Sequence, residues 1–257
     1  MSPPQGKLLL VPTPLDFGTR PGEALPDLRD ILPLGVIRQA AGLSHWVAEN
    51  ARTARAFLKR VDAAVPLAQP LQAVSIVELP RPPKGRRVAA PLELGALLAP
   101  AVQGHDIGLV SEAGLPAVAD PGAALVEAAH RLGIAVLALP GPSALLLALA
   151  ASGLNGQSFA FVGYLPIEAG ERAARIRELE ALSRAAGQTQ LMIETPYRNA
   201  ALHGALLANL QPATRLSVSC GLTLADGWTR SATVGIWRSN PTALPADFPA
   251  VFALLAD

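Results

Sequence analysis

The chain has 257 residues, enough for one large or two small domains. Hydrophobic residues make up 51% of it and charged residues 16%, and the formal net charge is +1. This balance supplies a core but lacks the strong basicity of an avid nucleic-acid binder. The single cysteine, Cys220, excludes an internal disulfide framework, and the four histidines do not share metal-ligand spacing, so we expect no metal site.

The beginning of the chain carries no charged segment followed by a long apolar run, and no apolar stretch is long enough for a bilayer. We therefore expect a cytoplasmic protein without a membrane span. The first predicted elements are a buried strand over 7–11 (KLLLV), a short helix over 25–34 (LPDLRDILPL), a strand over 45–48 (HWVA) and a helix over 49–60 (ENARTARAFLKR).

The second helix carries four basic side chains, Arg52, Arg55, Lys59 and Arg60. They could bind phosphates, or they could form an ordinary solvated helix face. The proline-rich segment 62–91 follows, with one basic cluster, RPPKGRR. It could contact nucleic acid through Lys84, Arg86 and Arg87, or it could be a surface loop without a partner. Residues 91–103 predict a further helix.

The most informative stretch runs over residues 107–156. It reads as a strand (IGLV), a loop with two glycines and two prolines (SEAGLPAVADPG), a helix (ALVEAAHRLG), a second strand (IAVLALP), and a Pro-Gly-Pro turn leading into another helix (PGPSALLLALAASG). A strand, helix and strand in this order form a βαβ unit, so the two strands should be parallel.

Both special loops follow strands, so both should lie at the carboxyl edge of the sheet, where ligands of α/β proteins bind. Gly114 and Gly141 allow backbone to approach a ligand closely, Ser143 begins a helix with free amide donors, and Glu112 adds one carboxylate. This set suits a small, polar, partly cationic ligand. Neither G-x-x-x-x-G-K-[ST] nor G-x-G-x-x-G is present, so a triphosphate or a dinucleotide is not indicated.

The C-terminal half predicts a second α/β unit with a mixed sheet. GLNGQ at 153–157 is the best boundary, which gives an N-terminal α/β domain over 1–154 and a C-terminal α/β domain over 155–257. The predicted elements are a strand and turn (FAFVGYLP), a long amphipathic helix over 167–186, a strand (TQLMIE), a turn and helix over 195–210, a strand (ATRLSVSC), and two last strands over 228–237 and 249–256, expected to pair with each other or lie at an edge.

Six segments of the chain resemble the tetrapyrrole-methylase superfamily. The main ones are SEAGLPAVADPG, LPGPSALLLALAASGL and FVGYLP, and the others are KLLLVPTPLDFG, VAENARTARAFL and ETPYR. The chain is most similar to its branch of ribosomal RNA small-subunit methyltransferase I, which methylates a cytidine 2′-hydroxyl. The resemblance implies two α/β domains with a cleft between them for S-adenosyl-L-methionine, and a homodimer. It implies cofactor contacts by Pro12, Pro14, Glu112, Ala113, Gly114, Leu115, Ser143, Ala144, Glu194, Thr195 and Leu222.

Methyl transfer to a ribose hydroxyl needs positioned reactants and a base or hydrogen-bond acceptor. Asp16, Glu49, Glu112 and Glu194 are candidates for the base. Arg52 and Arg198 could hold a phosphate or orient a carboxylate, so our proposed catalytic set is Glu49, Arg52 and Arg198. The alternative is that these residues form structural ion pairs, Glu49 with Arg52 and Glu194 with Arg198.

The chain departs from the family pattern at several positions. Asp16 and Phe17 stand where the family has Gly and Asn, Leu115 replaces a Thr, and a His-Asp-rich segment is missing. Two alternatives to ribosomal RNA methylation therefore remain open. One is a methyltransferase that acts on a tetrapyrrole or another small molecule, and the other is a catalytically silent protein that keeps the cofactor pocket.

Overall fold

The computed structural model describes residues 5–16, 25–80 and 94–257. The chain divides into two compact units, Met1–Pro142 and Ser143–Asp257. The predicted domain boundary between residues 154 and 155 lies slightly later, so the helix Ala144–Ser152 falls in the second unit rather than the first. This helix packs on the second sheet because its Leu145 and Leu149 share a core cluster with strand residues of that unit.

The first unit contains a five-stranded parallel sheet in the order β3-β2-β4-β1-β5. The strands are β1 (Lys7–Leu10), β2 (His45–Ala48), β3 (Ser75–Glu78), β4 (Ile107–Val110) and β5 (Ala135–Ala138). The helices are α1 (Leu34–Gly42), α2 (Ala51–Ala64), α3 (Ala99–Val102) and α4 (Ala123–Arg131), with 3₁₀ turns at Leu28–Asp30, Leu71–Ala73 and Ala96–Leu98.

Side chains of this sheet alternate between two cores, as a strand period of two requires. Leu9 and Trp46 face the cluster formed with α1 and α2, whereas Leu8 and Val47 face the cluster formed with α4. Helices therefore cover both faces, which explains why the central strands are continuously apolar. The βαβ prediction over 107–140 is confirmed: β4 and β5 run parallel, and each pairs with β1, which lies between them.

Three details of the first unit differ from the sequence prediction. The expected helix over 25–34 is only the 3₁₀ turn Leu28–Asp30, and Pro33 precedes a longer helix, α1, instead of ending one. Proline tolerates this position because the first helical turn has no partner for its N–H groups. An additional strand, β3, lies in the proline-rich segment. The predicted helix over 91–103 is, from residue 94, a series of short helical turns.

The second unit contains a mixed sheet in the order β6-β7-β10-β8-β9. The strands are β6 (Phe159–Phe161), β7 (Thr189–Glu194), β8 (Arg215–Cys220), β9 (Trp228–Thr233) and β10 (Ala250–Leu255). The helices are α5 (Ala144–Ser152), α6 (Ala169–Ala186), α7 (Asn199–Asn209) and α8 (Val234–Ser239), with a 3₁₀ turn at Pro196–Arg198.

The predicted mixed sheet is confirmed and β9 lies at its edge, as expected, but β10 neither pairs with β9 nor lies at an edge. β10 is central, antiparallel to both β7 and β8, and its six residues are all buried. The end of the predicted strand over 228–237 is helix α8. Its Trp237 is fully buried and donates a 2.8 Å hydrogen bond from Nε1 to the Leu216 carbonyl, so burial of this ring accounts for the turn away from the sheet.

Among the described residues, no helix combines the length and apolar character that a membrane crossing requires.

Candidate functional site

Three loops lie at the carboxyl edge of the first sheet, after β1, β4 and β5. The first two are joined by backbone hydrogen bonds: Thr13 N donates to Gly114 O (2.9 Å) and Gly114 N donates to Thr13 O (3.1 Å). Gly114 has φ +78°, a left-handed conformation that favours glycine. SEAGLP therefore lies at the carboxyl edge, as predicted, and it is bonded there to the PTP loop that follows β1.

The third loop packs directly against the first, with the Pro12 ring in contact with Gly141. A Cβ on Gly141 would lie 2.3 Å from Cγ and 2.5 Å from Cβ of Pro12, so only glycine fits against this proline ring. The three loops are therefore packed together at the carboxyl edge of the sheet, where ligands bind in open α/β sheets.

Two carboxylates flank these loops through contacts with the start of α2. Glu49 Oε2 accepts a 3.3 Å hydrogen bond from the Glu112 backbone N–H, and Asn50 Nδ2 donates to Glu112 Oε1 at 3.0 Å. Asn50 also caps α2, since its Oδ1 accepts from Arg52 N. The predicted residues Glu49 and Glu112 therefore lie together, whereas the Arg52 side chain is exposed.

A third carboxylate, Asp120, belongs to the same edge and was not among the sequence candidates. Burial raises the pKa of Asp120, and the charges of Glu49 and Glu112 act in the same direction, so that its pKa is about 6. The nearby Ser111 hydroxyl acts to lower this pKa, although its buried Oγ makes no hydrogen bond of standard geometry within the described residues. The sequence signal was available, because Asp120 is the aspartate of A-D-P-G in the quoted loop.

Asp16, a candidate base, is buried with its side chain only 1% exposed. Arg60 Nη1 contacts both of its carboxylate oxygens, at 2.9 and 3.2 Å, and Arg60 Nη2 donates to the Pro26 carbonyl. The pair borders a cavity of about 10 Å³, close to the space of one water molecule. Asp16 is thus the ion-pair partner of Arg60. Arg60 is therefore not part of the predicted phosphate-binding face of α2, on which Arg55 and Lys59 are exposed.

In the second unit, Glu194 ends β7 and its carboxylate is fully engaged. Oε1 accepts from Thr195 N (2.8 Å) and Thr195 Oγ1 (3.2 Å), while Oε2 lies 2.8 Å from Arg198 Nη2. The contact with Arg198 is an ion pair by distance but lacks the direction of a hydrogen bond. The structure therefore contains the predicted alternative, an ion pair between Glu194 and Arg198.

The remaining candidates of the second unit lie near its sheet. Ser143 precedes α5 without a side-chain capping bond, and Ala144 and Leu222 pack against one apolar cluster with Leu145 and Val251. Pro14 lines the small cavity beside Asp16 in the first unit. Phe17 and the whole RPPKGRR segment, with Lys84, Arg86 and Arg87, lie outside the described residues.

The family profile of the Tetrapyrrole (Corrin/Porphyrin) Methylases matches residues 47–235, which is most of the chain. The chain belongs to the tetrapyrrole methylase family. The match covers the Glu49, Glu112 and Asp120 cluster as well as the Glu194–Arg198 pair, so both sets of polar contacts lie within the family domain.

Two curated relatives of this tetrapyrrole methylase carry the name ribosomal RNA small subunit methyltransferase I. The protein from Mesorhizobium japonicum is 38% identical over 143 residues, which are 55% of this chain and 47% of that protein. The protein from Halalkalibacterium halodurans is 32% identical over 194 residues, which are 76% of this chain and 57% of that protein. The chain thus spans about half the length of the curated relatives it matches.

Solved structures share the fold of this chain. The methyltransferase CobJ has a TM-score of 0.57 at 17% identity, over 98% of this chain and 94% of its own. The Thermus thermophilus uroporphyrin-III C-methyl transferase, complexed with S-adenosyl homocysteine, has a TM-score of 0.54 at 18% identity, over 97% of both chains. At these identities the likeness establishes the fold of this tetrapyrrole methylase.

Within residues 5–16, 25–80 and 94–257, no three His, Cys, Asp or Glu side chains cluster closely enough to hold a metal ion. The carboxylates at the edge of the first sheet contact backbone amides and Asn50 instead. The described part of the site therefore consists of backbone groups, hydroxyls and carboxylates.

Proposed function

We propose that this tetrapyrrole methylase is an S-adenosyl-L-methionine-dependent methyltransferase that modifies a ribose 2′-hydroxyl of small-subunit ribosomal RNA. The observation that carries the proposal is the close packing of three loops, two of them hydrogen-bonded to each other, at the carboxyl edge of the first sheet, in a chain whose curated relatives are named for that activity. A cytoplasmic location and a homodimer belong to the same proposal.

The residues present fit such a cofactor. Backbone N–H and C=O groups suit its amino-acid and ribose portions. Gly114 and Gly141 allow the loops that carry these groups to pack closely, because a Cβ would lie 3.1 Å from Leu15 Cδ2 at Gly114 and 2.3 Å from Pro12 Cγ at Gly141. The proposed contacts in the first unit are Pro12, Pro14, Glu112, Ala113, Gly114 and Leu115. The proposed contacts in the second unit are Ser143, Ala144, Glu194, Thr195 and Leu222. When bound, S-adenosyl-L-methionine supplies an activated methyl group on a cationic sulfur.

The chain itself must position the acceptor and take up its proton. A carboxylate whose pKa is raised is a better proton acceptor than an ordinary one, yet Asp120 at about 6 is still largely ionised at neutral pH. We therefore add Asp120 to Glu49 as a proposed proton acceptor. Exposed Arg52 is suited to a substrate phosphate, while Glu194 fixes the guanidinium of Arg198 at the end of β7.

A second candidate acceptor is a tetrapyrrole or another small molecule. The observation that favours it is the loop after β1, where Asp16 is buried against Arg60, in a chain whose net charge of +1 provides no general attraction for RNA. A catalytically silent protein that retains the cofactor pocket is the third candidate, and it rests on the same altered loop.

Calorimetric titration with S-adenosyl-L-methionine and S-adenosylhomocysteine tests the cofactor. We expect binding of both, and methyl transfer from the labelled cofactor to unmodified small ribosomal subunits. Transfer to a tetrapyrrole but not to ribosomal RNA would select the second candidate. Binding without transfer to either acceptor would select the silent protein, and absence of binding by a folded sample would remove the methyltransferase proposal.

A further inference from the structure

Helix α2 begins at the carboxyl edge of the first sheet, because it directly follows β2. Its first turn is tied to the candidate site, since Asn50 caps the helix and its Nδ2 donates to Glu112 Oε1 at 3.0 Å. The apolar side chains of α2 are buried with those of the sheet in one core cluster. A helix that buries one face in this way leaves the other face open to a partner.

The open face of α2 carries three cationic side chains, Arg52, Arg55 and Lys59, which are all exposed. Residues three and four positions apart lie on the same side of a helix, so the three form one row. At a rise of about 1.5 Å per residue, they are spaced by about 4.5 and 6 Å along the helix axis. This basic row starts at the candidate site and runs away from it.

The basic row is not neutralised by the rest of the chain. Within the described residues, none of its three members forms an ion pair, and the one hydrogen bond from their side chains is that of Arg55 Nη1 to the Ala51 carbonyl of the same helix, at 3.4 Å. By contrast, six other arginines are paired with carboxylates: Arg29, Arg60, Arg131, Arg175, Arg198 and Arg215.

Two carboxylates close to α2 in sequence or in the sheet accept hydrogen bonds from backbone groups. Glu78, at the end of β3, accepts from Ala51 N at 2.7 Å, and Asp62, in the last turns of α2, accepts from Leu67 N at 3.0 Å. The row between them therefore keeps its positive charge available.

The position of these charges is unfavourable for α2 itself. Like charges three and four residues apart repel each other, and cations near the start of a helix oppose its dipole, which favours acidic side chains there. Within Ala51–Ala64 the first turn carries no acidic side chain and the last turn no basic one, whereas α6 has Glu171 in its first turn and Arg184 in its last. Because the row does not stabilise its own helix, it indicates an anionic partner.

We propose that Arg52, Arg55 and Lys59 bind successive phosphates of an RNA strand and lead that strand along α2 to the carboxyl edge of the first sheet. The proposal rests on the proposed function, because it requires an RNA acceptor. Arg52 holds the phosphate nearest the site, and the other two hold phosphates farther along the strand. A single row of cations follows one backbone strand, and such local contacts suit a chain whose net charge is only +1.

The test compares Arg55→Ala, Lys59→Ala and the double variant with the wild type in binding to a fluorescent single-stranded RNA. Anisotropy titrations between about 0.05 and 0.2 M salt give the affinity and its salt dependence. Each lost phosphate contact should weaken binding by about fivefold at about 0.1 M salt, and should reduce the slope of log affinity against log salt by about 0.7. Arg55→Lys and Lys59→Arg keep the charge and should retain most of the affinity.

Thermal denaturation distinguishes RNA binding from a structural role of the row. Alanine is the best helix former, and each substitution removes a like-charged neighbour. The melting temperatures of Arg55→Ala and Lys59→Ala should therefore equal or exceed that of the wild type, and calorimetric binding of S-adenosylhomocysteine should be unchanged. Weaker RNA binding that follows a loss of stability would overturn the proposal, because the row would then support the fold.

Arg131→Ala is the matched control, since Arg131 is an exposed helical arginine of α4, which packs on the opposite face of the first sheet. It changes the net charge equally and should leave RNA binding and its salt slope unchanged. Wild-type slopes in both alanine variants, or an equal loss in Arg131→Ala, would overturn the basic row and leave the proposed function intact if the wild type methylates small ribosomal subunits. A wild type that binds S-adenosylhomocysteine but neither binds nor methylates RNA would overturn the RNA acceptor together with the row.

Discussion

The two units differ at the ends of their parallel strands. At the edge of the first sheet, backbone hydrogen bonds join two loops at Thr13 and Gly114, and Gly141 packs directly against the Pro12 ring. At the second edge, where β7 ends, the Glu194–Arg198 ion pair lies beside the exposed Tyr197. We propose from this contrast that the first edge holds the cofactor through backbone groups, and that the second edge contributes charged side chains to its binding.

The largest expected effect is at Gly141. In Gly141→Val the new side chain must displace Pro12, which should destabilise the first unit by about 1–3 kcal/mol and weaken S-adenosylhomocysteine binding by at least about tenfold. Calorimetry and urea denaturation measure the two effects. Gly35→Ala in α1, where a Cβ meets nothing within 4 Å, is the control and should bind normally. Normal binding by Gly141→Val would end the assignment of the first edge to the cofactor.

The ion pair of the second edge gives the next effect. Arg198→Met leaves the Glu194 carboxylate buried without its cation and should cost about 1–3 kcal/mol of the free energy of unfolding. Glu194→Gln combined with Arg198→Met should recover part of this loss, because the amide oxygen can still accept from Thr195. Urea denaturation of the single and double variants measures the coupling, and additive effects would contradict a structural pair.

Two glycine substitutions, with smaller expected effects, distinguish the cost of backbone strain from the loss of the contact between loops. Gly114→Ala and Gly133→Ala both place alanine at positive φ, +78° and +70°, so each should lose about 1–2 kcal/mol of stability. Only Gly114 lies in the bonded loops, and its Cβ would approach Leu15 Cδ2 at 3.1 Å. S-adenosylhomocysteine binding should therefore weaken in Gly114→Ala alone. Equal weakening in both variants would mean that strain, not position, controls the site.

The last expected effect is a pH dependence from Asp120. Its pKa rises from 3.8 to about 6 on folding, so the folded chain binds this proton more tightly than the unfolded chain. The stability contributed by protonation is therefore present below pH 3.8 and is lost as the pH rises through about 6. In thermal denaturation, the stability of Asp120→Asn relative to the wild type should increase between about pH 4 and about pH 7. Parallel curves would exclude a raised pKa at Asp120.

Four of the five strands of the first sheet could be predicted from sequence, because short apolar runs between turn signals are typical of buried parallel strands. The fifth, β3, is largely exposed and lies in a proline-rich segment, so it lacked this signal. The positions of Pro12, Gly114 and Gly141 at one edge follow from that topology alone. The family motifs then added the candidate contacts, since they occupy those same loops.

Contacts between residues far apart in sequence could not be predicted in this way. Asp16 and Arg60 are separated by 44 positions, and only the folded chain shows that they pair. The order of strands in the second sheet depends on three-dimensional packing, so β10 looked like an edge strand although it is central. The residues after β9 are as apolar as a strand, and the burial of Trp237 decides that they form α8.

The central position of β10 has a consequence for the order of folding. Every strand of the first sheet precedes residue 139, so that sheet can close while the rest of the chain is still being synthesised. The second sheet cannot, because Ala250–Leu255 inserts between β7 and β8, which emerge earlier. Until that segment leaves the ribosome, both neighbours have unpaired backbone along one side, the feature that makes nascent chains dependent on chaperones.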